Sequence, residues 1–394
     1  MNILKRILSV FGIKPKNVIY DYNPCGILTT KRALLYFKTS WYFSFNGKFN
    51  PPSGSTNFES YRTALALNKL GYLVTIVNRN TKTKLKGKYD LYYGLAVGES
   101  GRYFEYYFRM TKNAPIKIAL STGASQHITV KNYQERVTSF EKRNNFIINE
   151  SVQRFGNMSF NKLMNDVDAI FYHGHDFTLS SYSQVNTKKY KIPSPIKDGI
   201  IPTLKEIQSD KLRTKKFFFY SGSGLLHKGL DLIIEAFADL PDYELYIAVL
   251  KPETWFINYY KDILSKSPNI KWLGSMKSDS KEIRKVAMKC GFVISASCSD
   301  ADPVSIIECM RYGMIPIVTR ETDISIKNQL EIKYPNFKSV KQSIILSSKL
   351  SSDEIRKLSI ESFIASLNNY SDCYGRDLEK SLAEVINYKF LKKT

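Results

Sequence analysis

The stretch Gly291–Thr319, GFVISASCSDADPVSIIECMRYGMIPIVT, reads as strand, polar loop, helix and strand. Phe292 to Ala296 is a short apolar run with β-branched residues, the mark of a strand buried on both faces. Asp302 falls where a helix N-cap belongs, and Pro303 takes the first helical position, where its missing N–H costs nothing. Gly313 closes the helix, and Ile315 to Val318 supplies the next strand. A strand–helix–strand unit of this size makes a right-handed parallel crossover, and ligands bind at the carboxyl ends of such strands. The loop from Ser297 to Asp302 lies at that end and opens onto a helix N-terminus, which favours anions.

Two acids in the unit, Asp300 and Glu308, stand eight positions apart. At about 100° per residue, Ile306, Ile307 and Met310 form the apolar stripe and Glu308 falls opposite Ile306. An isolated acid there reads as part of a solvated helix face. The acid-x7-acid spacing, followed by Gly-x-x-Pro-hydrophobic-x-Thr, resembles the donor-site signature of retaining, nucleotide-sugar-dependent glycosyltransferases of the GT-B fold, of the group 1 or family 4 type. That family usually carries Glu at both acidic positions, so Asp300 shortens the first acid by one methylene.

A second match lies upstream. Phe217-Phe218-Phe219-Tyr220 is a buried strand leading into Ser221-Gly222-Ser223-Gly224-Leu225-Leu226-His227-Lys228-Gly229 and the helix Leu230–Phe237. Glycines 222 and 224 let backbone approach a ligand, and Lys228 can place a point charge on a phosphate. The string resembles the family's diphosphate-binding loop, although many members have Arg where this chain has Ser223. Tyr243–Val249 and Asn269–Gly274 read as further strands, and Ser278–Lys289 as a helix. By resemblance, Gly274, Ser275 and Met276 border the nucleotide base. The two matches stand about 80 residues apart in one doubly wound domain.

The first half repeats the same alternation. Ala33–Phe37, Tyr72–Val77, Tyr89–Gly94, Ile116–Leu120 and Ala169–Tyr172 read as strands, and Asn57–Leu70 as a helix capped by Gly71. Polar loops follow several of these strands, one containing Gly54 and another His127. On their own they are a turn glycine and a surface histidine. The resemblance places the first near the donor and the second near the transferred sugar. Asn132–Asn161 reads as a charged helix pair on the surface. His173-Gly174-His175-Asp176 has no distant third ligand and is read as a strand-to-helix turn, without metal. The proline-rich run from Ile192 to Pro202 reads as an interdomain linker.

The chain has 394 residues, enough for two domains, and 43% hydrophobic residues, enough for two cores. The expected architecture is α/β: two Rossmann-like, doubly wound domains facing across a cleft. They comprise residues 1–205 on the acceptor side and 206–370 on the nucleotide-sugar side, with a C-terminal helix in 371–394 packing back on the first domain. Five cysteines without ligand spacing fit a reducing cytosol rather than a disulfide scaffold. No apolar run is long enough to span a membrane. A net charge of +22 attracts polyanions, yet its basic residues are spread along the chain and no nucleic-acid-binding signature accompanies them. Residues 1–16 read as a short basic amphipathic helix, suited either to an anionic membrane surface or to packing on the domain as an ordinary first helix.

The resemblance implies transfer of a sugar from a nucleoside-diphosphate sugar, a co-substrate rather than a cofactor, to a saccharide or lipid-linked saccharide. Lys228, the amides of Gly222 to Gly224 and the helix start at Asp302, Pro303, Val304 and Ser305 would stabilise the leaving diphosphate. Glu308 would hold the ribose diol, and Asp300 the donor sugar. Asp300-Ala301-Asp302 also spells the metal-binding DxD of another glycosyltransferase fold, but its place before a proline at a helix start favours the metal-independent reading. The competing expectations are a catalytically degenerate member and a basic protein that binds membrane or nucleic acid without turnover.

Overall fold

The structure is a computed structural model, and it describes residues 17–42, 51, 54–96, 101–149, 163–199, 201–207, 213–277, 280–324, 326 and 329–391. The basic segment 1–16 and the end of the expected helix pair, residues 150–161, lie outside the described residues.

The N-terminal half builds a seven-stranded sheet in the order β1-β3-β2-β4-β5-β6-β7. Its strands are β1 (Val18–Tyr22), β2 (Arg32–Phe37), β3 (Leu73–Asn78), β4 (Leu91–Leu95), β5 (Ile116–Ser121), β6 (Ala169–Tyr172) and β7 (Lys189–Lys191). All neighbours are parallel except the edge pair β1–β3. β2 after Arg32 and all of β4 are buried, which fits their unbroken apolar runs ALLYF and LYYGL. The edges β1 and β7 are half exposed, and their sequences VIYDY and KYK lack the apolar run that marked the central strands. Helices α1 (Thr56–Lys69), α2 (Phe104–Met110), α3 (Gln126–Asn144) and α4 (Asp176–Ser181) connect the strands.

The second half forms a six-stranded parallel sheet in the order β10-β9-β8-β11-β12-β13. Its strands are β8 (Lys216–Ser221), β9 (Glu244–Val249), β10 (Ile270–Gly274), β11 (Phe292–Ser295), β12 (Ile315–Thr319) and β13 (Leu330–Ile332). After the short α5 (Leu204–Ile207), its helices are α6 (Leu230–Ala238), α7 (Thr254–Lys266), α8 (Lys281–Ala287), α9 (Val304–Met310), α10 (Phe337–Ser347) and α11 (Ser352–Ser366). Apolar clusters cover both faces of this sheet. The expected α/β class, with two Rossmann-like domains, is the one observed.

Two helices leave their own half. α12 (Ser371–Leu391) contributes Tyr374, Leu378, Leu382, Val385 and Ile386 to the core of the N-terminal sheet. α3 does the reverse: Tyr133, Val137 and Phe140 join the apolar cluster of the C-terminal sheet. The charged surface helix expected from residue 132 onward is therefore corrected. Positions 133, 137 and 140 lie on one helical face, and that face packs against Trp255 and Tyr259 with ring centroids 6.0 and 5.2 Å from Phe140.

Candidate active site

Strand order locates the site. In the C-terminal sheet the chain runs outward through β9 and β10 on one side of β8, and through β11, β12 and β13 on the other. The switch point therefore lies between β8 and β11, and ligands of open α/β sheets bind in the crevice above such a point. The two loops that rise there, 222–229 and 296–303, are laced together. The amides of Ala296 and Cys298 donate to the carbonyls of Lys228 (3.2 Å) and His227 (3.0 Å). Gly229 makes this contact possible: its φ is +73°, and a Cβ there would lie 2.3 Å from the Ala296 carbonyl oxygen. Across the seam the Lys228 ammonium pairs with the Asp300 carboxylate, their side chains 13% and 18% exposed.

The 222–225 turn differs from expectation. Gly222 faces open space, but the Gly224 amide donates to Glu253 Oε1 (2.5 Å) and the Leu225 amide to Glu253 Oε2 (3.2 Å). Gly224, expected to offer its N–H to a diphosphate, thus already holds a carboxylate of the chain. Ser223 sits in the same turn, its carbonyl accepting from Ser221 Oγ at 3.3 Å. In sequence Glu253 appears only as an acid before α7, and no local signal ties it to a loop 28 positions away.

Helix α9 also departs from the reading of its start. Pro303, not Asp302, is the capping residue, with φ −62° and ψ 111° and no side-chain cap. Asp302 turns left-handed at φ +43° and aims its carboxylate at the other domain. Its Oδ1 lies 3.0 Å from His175 Nε2, and its Oδ2 accepts from the Gly174 amide at 3.3 Å. Its carboxylate is thus engaged by the N-terminal domain rather than by the first amides of α9. Val304 and Ser305 form the half-buried first turn. Glu308 is 2% exposed, so the solvated-face alternative is corrected: the carboxylate is interior, near the fully buried Arg311. Arg311 Nη1 donates to the Lys197 carbonyl of the interdomain linker at 2.6 Å.

On the β10 side Gly274 has φ +75° with open space at its Cβ position. Ser275 Oγ donates to the Leu250 carbonyl (3.4 Å), and the Met276 carbonyl accepts from Tyr220 Oη (3.4 Å), fixing this loop beside the ends of β8 and β9. His127 is an exposed residue in the first turn of α3. The same helix reaches the 296–303 loop through Thr129 to Ser299 (2.9 Å), Asn132 to the Cys298 carbonyl (2.8 Å) and Arg136 to the Ala296 carbonyl (2.8 Å). Gly54 has φ +69° and a virtual Cβ 2.6 Å from the Lys197 amide nitrogen, so it packs closely on the linker backbone.

Charge is concentrated at this domain junction. The Asp231 carboxylate is fully buried, pairs with Arg136 at 3.5 Å and accepts from Arg143 at 2.6 Å, joining α3 to α6. Burial disfavours the charged form of Asp302, but His175, Lys191 and His173 together outweigh it and hold the carboxyl below its ordinary range. Lys191 Nζ lies 2.7 Å from His175 Nδ1, so a neutral ring accepting there donates from Nε2 to Asp302. For His173, burial opposes protonation, yet Glu59 and the Ile192 carbonyl raise its pKa. Among the described residues, no group of three or more His, Cys, Asp or Glu is arranged to hold a metal ion. The sequence reading missed the interdomain roles of His175, Arg136 and Asp323 and the support Lys191 gives His175: Arg136 reaches the Ala296 carbonyl across 160 residues and Asp323 the His175 amide across 148, whereas Lys191 on His175 spans 16.

Comparison with known proteins adds an independent line. A family model described as glycosyl transferases group 1 matches residues 204–325, a span that contains both laced loops. No curated protein matches the sequence. Among solved structures, sucrose-phosphate synthase from Thermosynechococcus elongatus aligns at TM-score 0.60 and 11% identity, over 92% of this chain and 100% of that one. TarM, of S. aureus, aligns at TM-score 0.51 and 15% identity over 75% of this chain. That alignment spans 54% of TarM, about half its length. HepE of Anabaena, in complex with UDP and glucose, aligns at TM-score 0.50 and 12% identity, over 82% of this chain and 88% of that one. At such identities the likeness is one of fold, the GT-B arrangement of two Rossmann-like domains.

Proposed function

We propose that this chain is a metal-independent glycosyltransferase that moves a sugar from a nucleoside-diphosphate sugar to a saccharide or lipid-linked saccharide, with retention of configuration. The observation that carries the reading is the meeting of Lys228 and Asp300 over the β8/β11 switch point, with Glu308 on the helix that follows. The matched family region spans both loops, and one structure of the same fold holds UDP and glucose.

In this reading the bond between the anomeric carbon and the diphosphate oxygen breaks and the electron pair leaves with the diphosphate. Lys228 is the cation placed to meet that growing charge. Asp300, paired with it, is placed to accept hydroxyls of the sugar, and Glu308 to accept those of the ribose. The acceptor hydroxyl forms the new bond on the same face, and its proton passes to the departing phosphate oxygen. No protein nucleophile is required. His127 and the loop Gly274–Met276 are assigned to the sugar and base ends of the donor. The pathway we favour is assembly of a cell-surface polysaccharide at the cytoplasmic side of a membrane, with residues 1–16 touching the anionic lipid surface. No helix among the described residues is long and apolar enough to cross a membrane.

A screen of nucleotide-sugar donors for hydrolysis without acceptor tests the reading. Glu308→Gln is expected to lose most of the rate with the best donor; an unchanged rate would contradict the assignment. Ser223 and the Glu253 carboxylate on the Gly224 amide favour a second reading, a member that binds nucleotide without turnover. Saturable nucleoside-diphosphate binding with no hydrolysis of any donor would select it. Deleting residues 1–14 should lower recovery with anionic membranes, and equal recovery would remove the membrane contact from the proposal.

A further inference from the structure

The loop after β12 ends in a second left-handed aspartate. Asp323 has φ +52° and is 5% exposed; Asp302 has φ +43° and is 4% exposed. Non-glycine residues held in this region cost free energy, so surrounding structure must compensate. Here the compensation comes from the other domain. Asp323 Oδ2 accepts the amides of His175 (2.7 Å) and Thr178 (2.9 Å), and its Oδ1 accepts that of Phe177 (2.9 Å). A carboxylate of the C-terminal domain therefore caps the start of α4 in the N-terminal domain. Gly174 makes room for it: a Cβ there would sit 2.5 Å from Asp323 Oδ2.

The two aspartates are linked. The Asp302 amide donates to the Asp323 carbonyl at 3.3 Å, and the Asp300 amide to the Glu321 carbonyl at 2.7 Å. Asp302 adds its own contacts to Gly174 and His175. The 173–178 turn, the 320–323 segment and the 300–303 loop are thus one hydrogen-bonded unit running from the N-terminal domain to Asp300.

We infer that Asp302 and Asp323 are positioning residues: they clasp the 173–178 turn and so hold the Asp300–Val304 loop in the conformation that receives the donor. Neither aspartate is assigned contact with the donor; each acts through Asp300 and the start of α9. The inference rests on the reading of this loop as the donor site. It adds that the donor site of the C-terminal domain is complete only while the N-terminal domain grips it.

Amide hydrogen exchange and UDP titration on the full chain test it, with Asp323→Ala, Asp323→Asn and Lys228→Met compared with the wild type. Asp323→Ala should speed exchange in 173–178 and also in 298–304, and weaken UDP binding about tenfold or more. Asp323→Asn keeps the shape and one acceptor oxygen, so both effects should fall between Ala and wild type. This graded rescue separates the clasp from a failure to fold. Lys228→Met should weaken UDP without changing exchange in 173–178. Faster exchange confined to 173–178, with 298–304 unaltered, would overturn the clasp and leave Asp323 an ordinary helix cap. Unchanged UDP affinity in Asp323→Ala would overturn its positioning role. If the wild type binds no nucleoside diphosphate, the donor-site reading fails, while the exchange data still decide whether the two segments move together.

Discussion

Lys228 is the cation nearest the crevice in the assigned donor machinery, and it is not idle: Asp300 already neutralises it. A diphosphate must therefore compete with, or be added to, an existing pair, in a turn whose Gly224 amide is given to Glu253. Removing that second internal charge should help an anionic ligand, because a like charge beside a site disfavours a further one. Glu253→Gln is expected to tighten nucleoside-diphosphate binding, by roughly three- to tenfold if the charge difference is near 1 kcal/mol; weaker binding would show that Glu253 orders the turn instead. Asp302 supplies a pH prediction. Its folded pKa lies below the ordinary aspartate value, so its contribution is present above about pH 4 and is lost as pH falls through the folded value. The stability gap between wild type and Asp302→Asn in urea should be large at pH 7 and shrink in acid. A gap that grows in acid would reverse the sign.

Among the elements, α3 is the one whose role the sequence conceals. Its 14 charged and polar positions outnumber the stripe of Tyr133, Val137 and Phe140, and nothing local says which domain that stripe meets. The central strands were readable for the opposite reason: runs such as FFFY and FVIS have only one environment that suits them, the middle of a covered sheet. The Gly-rich turn and the acid spacing were likewise local, so Lys228, Asp300 and Glu308 could be singled out from their own segments. Asp302 could not be placed correctly, since Asp-Pro before a helix normally reads as a cap, and only the distant His175 and Gly174 explain its left-handed backbone. Glu253 and Asp323 were illegible because their partners are amides of other loops. Phe140→Ala removes the centre of the α3 contact and is expected to cost about 3–5 kcal/mol. Calorimetry should then show the two halves melting less cooperatively, and an unaltered single transition would place the joining energy elsewhere.

At the scale of the molecule, the described residues join the halves through α3 lying in the C-terminal core, through α12 lying in the N-terminal core, and through the aspartates that hold the 173–178 turn. Lys69 and Glu379 add an exposed pair at 2.9 Å between α1 and α12; at the surface it contributes little. These joints put the crevice above β8 and β11 opposite the loops of the first sheet, where the proposed function has an acceptor enter. The excess of positive charge favours anionic partners throughout, and at the switch point Lys228 and Asp300 are paired beside the turn at Gly229. The most direct test is calorimetric titration of a panel of nucleoside diphosphates into the wild-type chain and Lys228→Met. The account predicts saturable one-site binding of at least one diphosphate, weakened about tenfold or more when the charge-assisted contact is removed. No saturable binding of any diphosphate, or equal affinity in the two proteins, would contradict it.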